Sequence, residues 1–175
     1  MNPDVRILVF TGDGKGKTTA ALGMALRAAG HGLPVAVIQF VKADRTVGEI
    51  QGLTRLPGVS IVQAGRGFLP KAGDAAIAVH QAAAREGLAE AERIVAAGET
   101  RLVILDEICV AVAKGLLTEA DVLAVLRRGR AGTCIVLTGR GATESLLAAA
   151  DTATEMREVK HGLKSGIVAQ AGVEW

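Results

Sequence analysis

The stretch Thr11-Gly12-Asp13-Gly14-Lys15-Gly16-Lys17-Thr18-Thr19 decides how this chain is read. Before it stands RILVF (6–10), a short apolar run rich in branched residues that reads as a buried strand. After it, TTAALGMALRAAGHG (18–32) sets Ala, Leu and Met on one helical face, with Gly30 and Gly32 as stop signals. A glycine loop between strand and helix is a phosphate cradle. Gly12, Gly14 and Gly16 let backbone N–H groups turn inward. The helix N-terminus adds its partial positive charge at the same point. Lys17 brings a mobile cation to phosphate oxygens, and Thr18 or Thr19 offers a hydroxyl to Mg2+. The usual spacing G-x-x-x-x-G-K-[ST] puts Thr11 where the first Gly belongs, a departure at one position.

Working outward, VAVIQFV (35–41) reads as a second buried strand, 42–56 as a polar loop with a helical turn, and 59–63 as a short strand. Gly and Pro punctuate 65–73, which is expected to be a loop. A long helix is expected over 74–97, where Ile77, Ala84, Leu88, Ala91 and Val95 recur at helical spacings and Gly98 caps the end. RLVIL (101–105) is another apolar strand, and it ends at Asp106–Glu107. A carboxylate at the C-terminal end of such a strand holds or orients Mg2+ in phosphate-binding α/β sheets. Thr118 with Asp121 resembles a capping box opening a helix that ends near Gly129. A strand over 133–138 and a short helix to about Ala150 follow, and the remainder reads as one or two closing strands joined by a turn. No repeat or linker interrupts the pattern, so one domain over 1–175 is expected. Strands alternating with helices predict a parallel sheet covered on both faces.

Composition narrows the function. Only three Phe, one Trp and no Tyr are present, too few rings for a protein that stacks single-stranded bases. A net charge of +2 provides no strongly basic field for DNA. Cys109 and Cys134 are too few for a disulfide framework or a four-ligand zinc site, and both sit in apolar runs as small hydrophobes. No apolar stretch approaches the ~18 residues of a membrane helix, and the N-terminus runs straight into the glycine loop. A cytoplasmic protein is expected.

Several separated stretches resemble the ATP:corrinoid adenosyltransferases of the CobA/CobO/BtuR type. They are FTGDGKGKTTAALG, AAGHG, VIQFVK, GRGF, LVILDE, VLTGRG, LLAAADTATEMREVKH and GIVAQAGVEW, in order from about Phe10 to Trp175. That family also has Thr at the first position of the phosphate loop. The resemblance implies a RecA-like P-loop fold and transfer of the 5′-deoxyadenosyl group of ATP to the Co(I) of a corrinoid, with triphosphate leaving. ATP is implied to lie across the loop in the orientation opposite to that of ordinary P-loop ATPases, which exposes C5′.

The resemblance also implies residue roles. Gly12, Asp13, Gly14, Lys15, Gly16, Lys17 and Thr18, with Thr19 beside them, match the loop that holds the triphosphate. Thr18 and Glu107 match ligands of Mg2+ (or Mn2+), with Asp106 as an outer or alternative ligand. Arg27 matches a family arginine on the helix after the loop, with a solvated helix face as its other reading, and Arg140 matches one placed to contact nucleotide phosphate or corrinoid; both are expected among the ATP-binding residues. Phe68 matches an aromatic set against the lower corrin face, where excluding the lower axial ligand eases reduction of Co(II). A second family aromatic is replaced here by Pro70. Many members carry an extra N-terminal segment that can cover the site; here closure is expected to rely on other parts or on a partner subunit, or to be weaker. A homodimer and a flavoprotein reductant are the implied partners. His161 is expected to be structural. An ordinary P-loop ATPase or small-molecule kinase is the competing reading, and a non-catalytic nucleotide-binding module a second.

Overall fold

Short runs rich in Val, Ile and Leu make the sheet, because branched side chains stiffen an extended backbone and pack well on a pleated surface. They are β1 (Arg6–Thr11), β2 (Val35–Gln39), β3 (Val59–Gln63), β4 (Leu102–Asp106) and β5 (Cys134–Thr138). An exposed sixth strand, β6 (Thr152–Glu155), lies at one edge. The structure, a computed structural model, describes residues 4–67 and 76–173. Strand order is β3-β2-β4-β5-β1-β6, and every pair is parallel.

The pleat sorts the side chains onto two faces. Ile7, Val9, Ile38, Val103, Leu105, Ile135 and Leu137 share one buried cluster. They pack with α3 (Ile77–Ala97), α4 (Ile108–Ala113), α5 (Glu119–Arg127) and α6 (Glu144–Ala148). On the opposite face Val35, Val37, Leu102, Ile104 and Val136 meet α1 (Lys17–Gly30) and α2 (Gly48–Leu53). The small Ala21 and Ala25, one helical turn apart and fully buried, bring α1 close to that face. The parallel sheet with helices on both faces is therefore as the alternating pattern predicts.

Local chemistry sets the helix starts. The Thr118 hydroxyl accepts the Asp121 N–H and opens α5. Thr143 does the same for α6 through the Leu146 N–H. The helical turn expected within 42–56 is α2. The run ICVAVA, read from sequence only as buried, forms the short α4.

Of the one or two closing strands expected at the end of the chain, one forms, β6, and no second strand follows it within the described residues. Past β6 the Met156 backbone bonds the end of β1 at Thr11 and the phosphate loop at Gly14. A 3-10 turn covers Gly162–Ser165 and ends at Gly166, whose φ is 76°, and residues 167–170 of the apolar stretch form no strand. Among the described residues no helix is long and apolar enough to cross a membrane.

The segment after β3 is fastened to the end of β2. Ala64 and Gly65 both donate their N–H to the Gln39 carbonyl, at 2.9 and 3.1 Å, and Gly67 donates to that of Val41 at 2.9 Å. A Cβ at Gly65 would stand 2.2 Å from the Val41 carbonyl carbon, which is backbone and cannot rotate away. Gly65→Ala should therefore destabilise the protein by about 2 kcal/mol or more. Urea unfolding checks this, and an unchanged midpoint would mean that the two backbones separate freely.

Candidate active site at the C-terminal edge of the sheet

Because all six strands are parallel, their C-terminal ends share one edge, where ligands gather in open α/β sheets. Gln39 is in register with Gln63 on one side and with Asp106 on the other. Thr138 follows Leu137, the partner of Leu105. A polar row thus crosses the edge, next to the loop between β1 and α1.

That loop is built by its glycines. Gly16 takes φ 111° just before α1, a conformation that L side chains rarely adopt. Gly14 donates its N–H to the Met156 carbonyl at 2.6 Å, and a Cβ there would stand 2.5 Å from that oxygen. Thr11, the departure from the usual motif, has a task of its own. Its carbonyl accepts the Met156 N–H at 2.8 Å and its hydroxyl accepts the Ala142 N–H at 3.3 Å. It ties the loop to the segments following β5 and β6. No acidic residue stands in the first turn of α1, which leaves the helix N-terminus positive.

A cleft of about 650 Å3 opens on this loop. Gly14, Lys15, Gly16, Lys17, Thr18 and Thr19 form one wall, and Lys42, Glu49, Glu107, Arg140 and His161 also line it. Lys17 is largely buried and donates to the Gly14 carbonyl at 2.5 Å. Burial, and next the Arg140 guanidinium, pull its ammonium below the ordinary lysine value. Asp13 is exposed and does not line the cleft; Arg140 reaches its carbonyl at 3.3 Å and its carboxylate at 3.8 Å.

Asp106 is fully buried and its carboxylate is crowded with donors. Oδ1 accepts the hydroxyls of Thr18 and Thr138, each at 2.8 Å. Oδ2 accepts Gln39 Nε2 at 3.1 Å and faces Lys42 Nζ at 3.5 Å. Of its two expected roles, the geometry fits the outer one: it orients Thr18. Glu107 is the carboxylate that lines the cleft. Its N–H donates to the Thr138 hydroxyl at 2.9 Å, and its own φ is 62°, the one positive value among described non-glycine residues.

The other expected residues divide. Arg27 is exposed in the last turn of α1, roughly 15 Å along the helix from Lys17. It is not brought to the cleft and complements the helix C-terminus instead. Phe68 and Pro70 lie outside the described residues. His161 accepts the Leu163 N–H on Nδ1 at 3.2 Å and caps the 3-10 turn, in line with a structural role. Burial pushes the Cys109 thiol up to about 12, so it stays protonated and inert.

Sequence reasoning missed Lys42, Gln39, Gln63 and Thr138. Lys42 bridges Asp106 and Glu49, 3.0 Å from the latter. Burial opposes its charge, but Asp106 and Glu49 outweigh burial and hold it above the ordinary lysine value. The available signal was a lone Gln inside an otherwise apolar strand, since a buried amide needs partners.

A family model described as ATP:corrinoid adenosyltransferase BtuR/CobO/CobP matches residues 4–175. The chain is 41% identical over 170 residues to a corrinoid adenosyltransferase of Pseudomonas aeruginosa, covering 97% of this chain and 83% of that protein. It is 38% identical over 169 residues to one from Escherichia coli K12, covering 97% and 85%. Among solved structures, the flagellar accessory protein FlaH of Methanocaldococcus jannaschii superposes with a TM-score of 0.57 at 12% identity, over 87% of this chain and 70% of that one. A KaiC-like protein of Pyrococcus horikoshii gives 0.56 at 15% identity, over 90% and 74%. At such identities the two structures speak for the fold alone, a RecA-like P-loop sheet.

Glu107 carries a consequence for stability. Burial, and next the Asp106 charge, raise its carboxyl above the ordinary glutamate value of 4.5. A carboxyl raised on folding favours the folded state while protonated, and that stability is lost as pH rises through the folded value. Glu107→Gln should therefore melt higher than the native protein near pH 7.5, with the gain shrinking toward pH 4.5 in thermal scans. A gain that is constant across this range would assign the effect to something other than the charge.

Proposed function

Because the chain belongs to the ATP:corrinoid adenosyltransferase family, we propose that this cleft grips the triphosphate of ATP and presents C5′ to the cobalt of a reduced corrinoid. The observation that carries the reading is the convergence of Lys17, Thr18 and Glu107 on one cleft, with Thr18 oriented by a carboxylate that is itself withheld from the cleft. Cobalt in the Co(I) state is the nucleophile. Its electron pair forms the Co–C5′ bond, the C5′–O bond breaks, and that pair leaves on the triphosphate. Cobalt ends as Co(III).

The protein's work is placement and charge. The loop N–H groups other than that of Gly14, which the Met156 carbonyl accepts, and the N-terminus of α1 serve the triphosphate oxygens. Lys17 supplies a cation whose charge is only partly hydrated, so it acts strongly on the charge that grows on the leaving group. Arg140 and Lys15 add positive charge along the same cleft.

The donor set fits Mg2+, which binds through one or two hard protein oxygens and substrate phosphates rather than a full protein cage. Among the described residues no three His, Cys, Asp or Glu side chains gather at one point. The Thr18 hydroxyl and the Glu107 carboxylate would hold the ion, and when bound it would neutralise charge on the leaving triphosphate. Mn2+ offers the same chemistry.

Further parts of the reading rest on the family. Phe68 is assigned to the lower corrin face. The active form is a homodimer, located in the cytoplasm where ATP is at hand, and a flavoprotein delivers the electron that makes Co(I). Arg27 is left out of the assignment because of its place at the far end of α1.

Two measurements test the reading. Lys17→Ala should lower turnover with chemically preformed Co(I) cobalamin by about 100-fold or more. A mutant that turns over like the native protein would remove Lys17 from its role. Phosphorus NMR of a turnover mixture should show inorganic triphosphate formed in step with alkylcobalt. Corrinoid-independent release of ADP would instead establish an ordinary P-loop ATPase, whose nucleophile attacks the γ-phosphorus.

A further inference from the structure

Gln39 does not line the cleft, yet it is one of the few polar side chains that are fully buried. Its Nε2 donates to Asp106 Oδ2 at 3.1 Å. Its Oε1 accepts Gln63 Nε2 at 2.9 Å. The same Gln63 nitrogen also donates to the Asp44 carbonyl at 2.9 Å. Gln63 Oε1 is buried with no hydrogen-bond partner among the described residues.

These bonds form a chain with a fixed direction. An amide side chain can flip, exchanging its donor and acceptor ends. For Gln39 a flip would turn a carbonyl toward the Asp106 carboxylate and break both bonds at once. Gln63 guards against the flip, since its nitrogen is pinned by two acceptors and must face Gln39 as a donor. A buried, unpartnered oxygen is normally costly. Its presence on Gln63 shows that the fold gives precedence to where the nitrogen points.

We propose that Gln39 is a positioning residue for nucleotide binding. Polarised by Gln63, it locks the Asp106 carboxylate in the rotation that directs Oδ1 at Thr18. Without Gln39, Oδ2 keeps only the longer approach of Lys42, and the rotation of the carboxylate is fixed by its two Oδ1 bonds alone. The Thr18 hydroxyl then loses its fixed acceptor, and its lone pairs no longer aim steadily into the cleft.

This inference rests on the reading of the cleft as an ATP site, and its test uses equilibrium binding rather than turnover. ATP is titrated in the presence of Mg2+ by calorimetry. Gln39→Met keeps the volume and removes both bonds. It should weaken binding about tenfold, the usual worth of one lost bond to a charged group. Gln63→Glu makes no contact with Asp106 in the native fold, but its carboxylate accepts where an amide donated, inviting Gln39 to flip. It should weaken binding about threefold or more by the same mechanism, and it serves alone if Gln39→Met does not fold.

The decisive arm repeats both substitutions in a Thr18→Val background. If Gln39 acts through Asp106 on the hydroxyl, neither should then change the Kd by more than about twofold. Unchanged binding in the Thr18-containing variants would overturn the proposal. So would equal losses with and without the Thr18 hydroxyl, the result expected if Gln39 merely supports the sheet. Failure of the native protein to bind ATP at all would overturn the reading of the cleft itself.

Discussion

The C-terminal edge of the sheet depends on one buried carboxylate. Asp106 has no contact with water, and an ionised group in that position is tolerated only when its lone pairs are met. Two hydroxyls, an amide and a nearby ammonium meet them, drawn from α1, β5, β2 and the segment after β2. Each donor is thereby held in place by the need to compensate the charge. Strand order makes this arrangement available. With β4 between β2 and β5, the end of β4 is the point that both neighbours can reach.

Seen this way, the adjacent carboxylates have different duties because their surroundings differ. Asp106 is consumed by internal bonds and organises the site. Glu107 takes a left-handed backbone turn, which sends its side chain off the strand direction and into the cleft lining. Its carboxyl is held there at some expense in stability, as groups at functional sites often are. A cation between Thr18 and Glu107 would relieve that expense.

How much of this was legible in the sequence follows the distance over which each feature is encoded. The phosphate loop, the Asp106–Glu107 pair and the Thr118 start of α5 are local: spacing and residue type suffice, because the bonds that matter lie within a few positions. The parallel sheet with helices on both faces was equally legible from alternating apolar runs. Gln39, Gln63, Lys42 and Thr138 were not, because their importance arises only when strands distant in sequence become neighbours. The tail was legible only as one or two closing strands, for a related reason: composition does not reveal that the Met156 backbone is bonded to Thr11 and Gly14. Arg27 shows the opposite limit. A motif match placed it among the ATP-binding groups, whereas ten residues of helix carry it away from them.

The clasp between Met156 and the glycine loop also has a consequence in time. The loop follows the first strand of the sheet, and its backbone clasp follows the sixth. The strand that leads into it, β1, is flanked in the sheet by β5 and β6, both made late. On a ribosome adding ~5–20 residues per second, the loop emerges on the order of ten seconds before its partners do. During that interval β1 has neither neighbour, and the glycines have nothing to close against. The loop thus stays unclasped until the residues just past β6 have emerged. β2, β3 and β4 pair with one another without it, while the apolar first strand waits unpaired, and that strand is where a chaperone has the longest opportunity to bind.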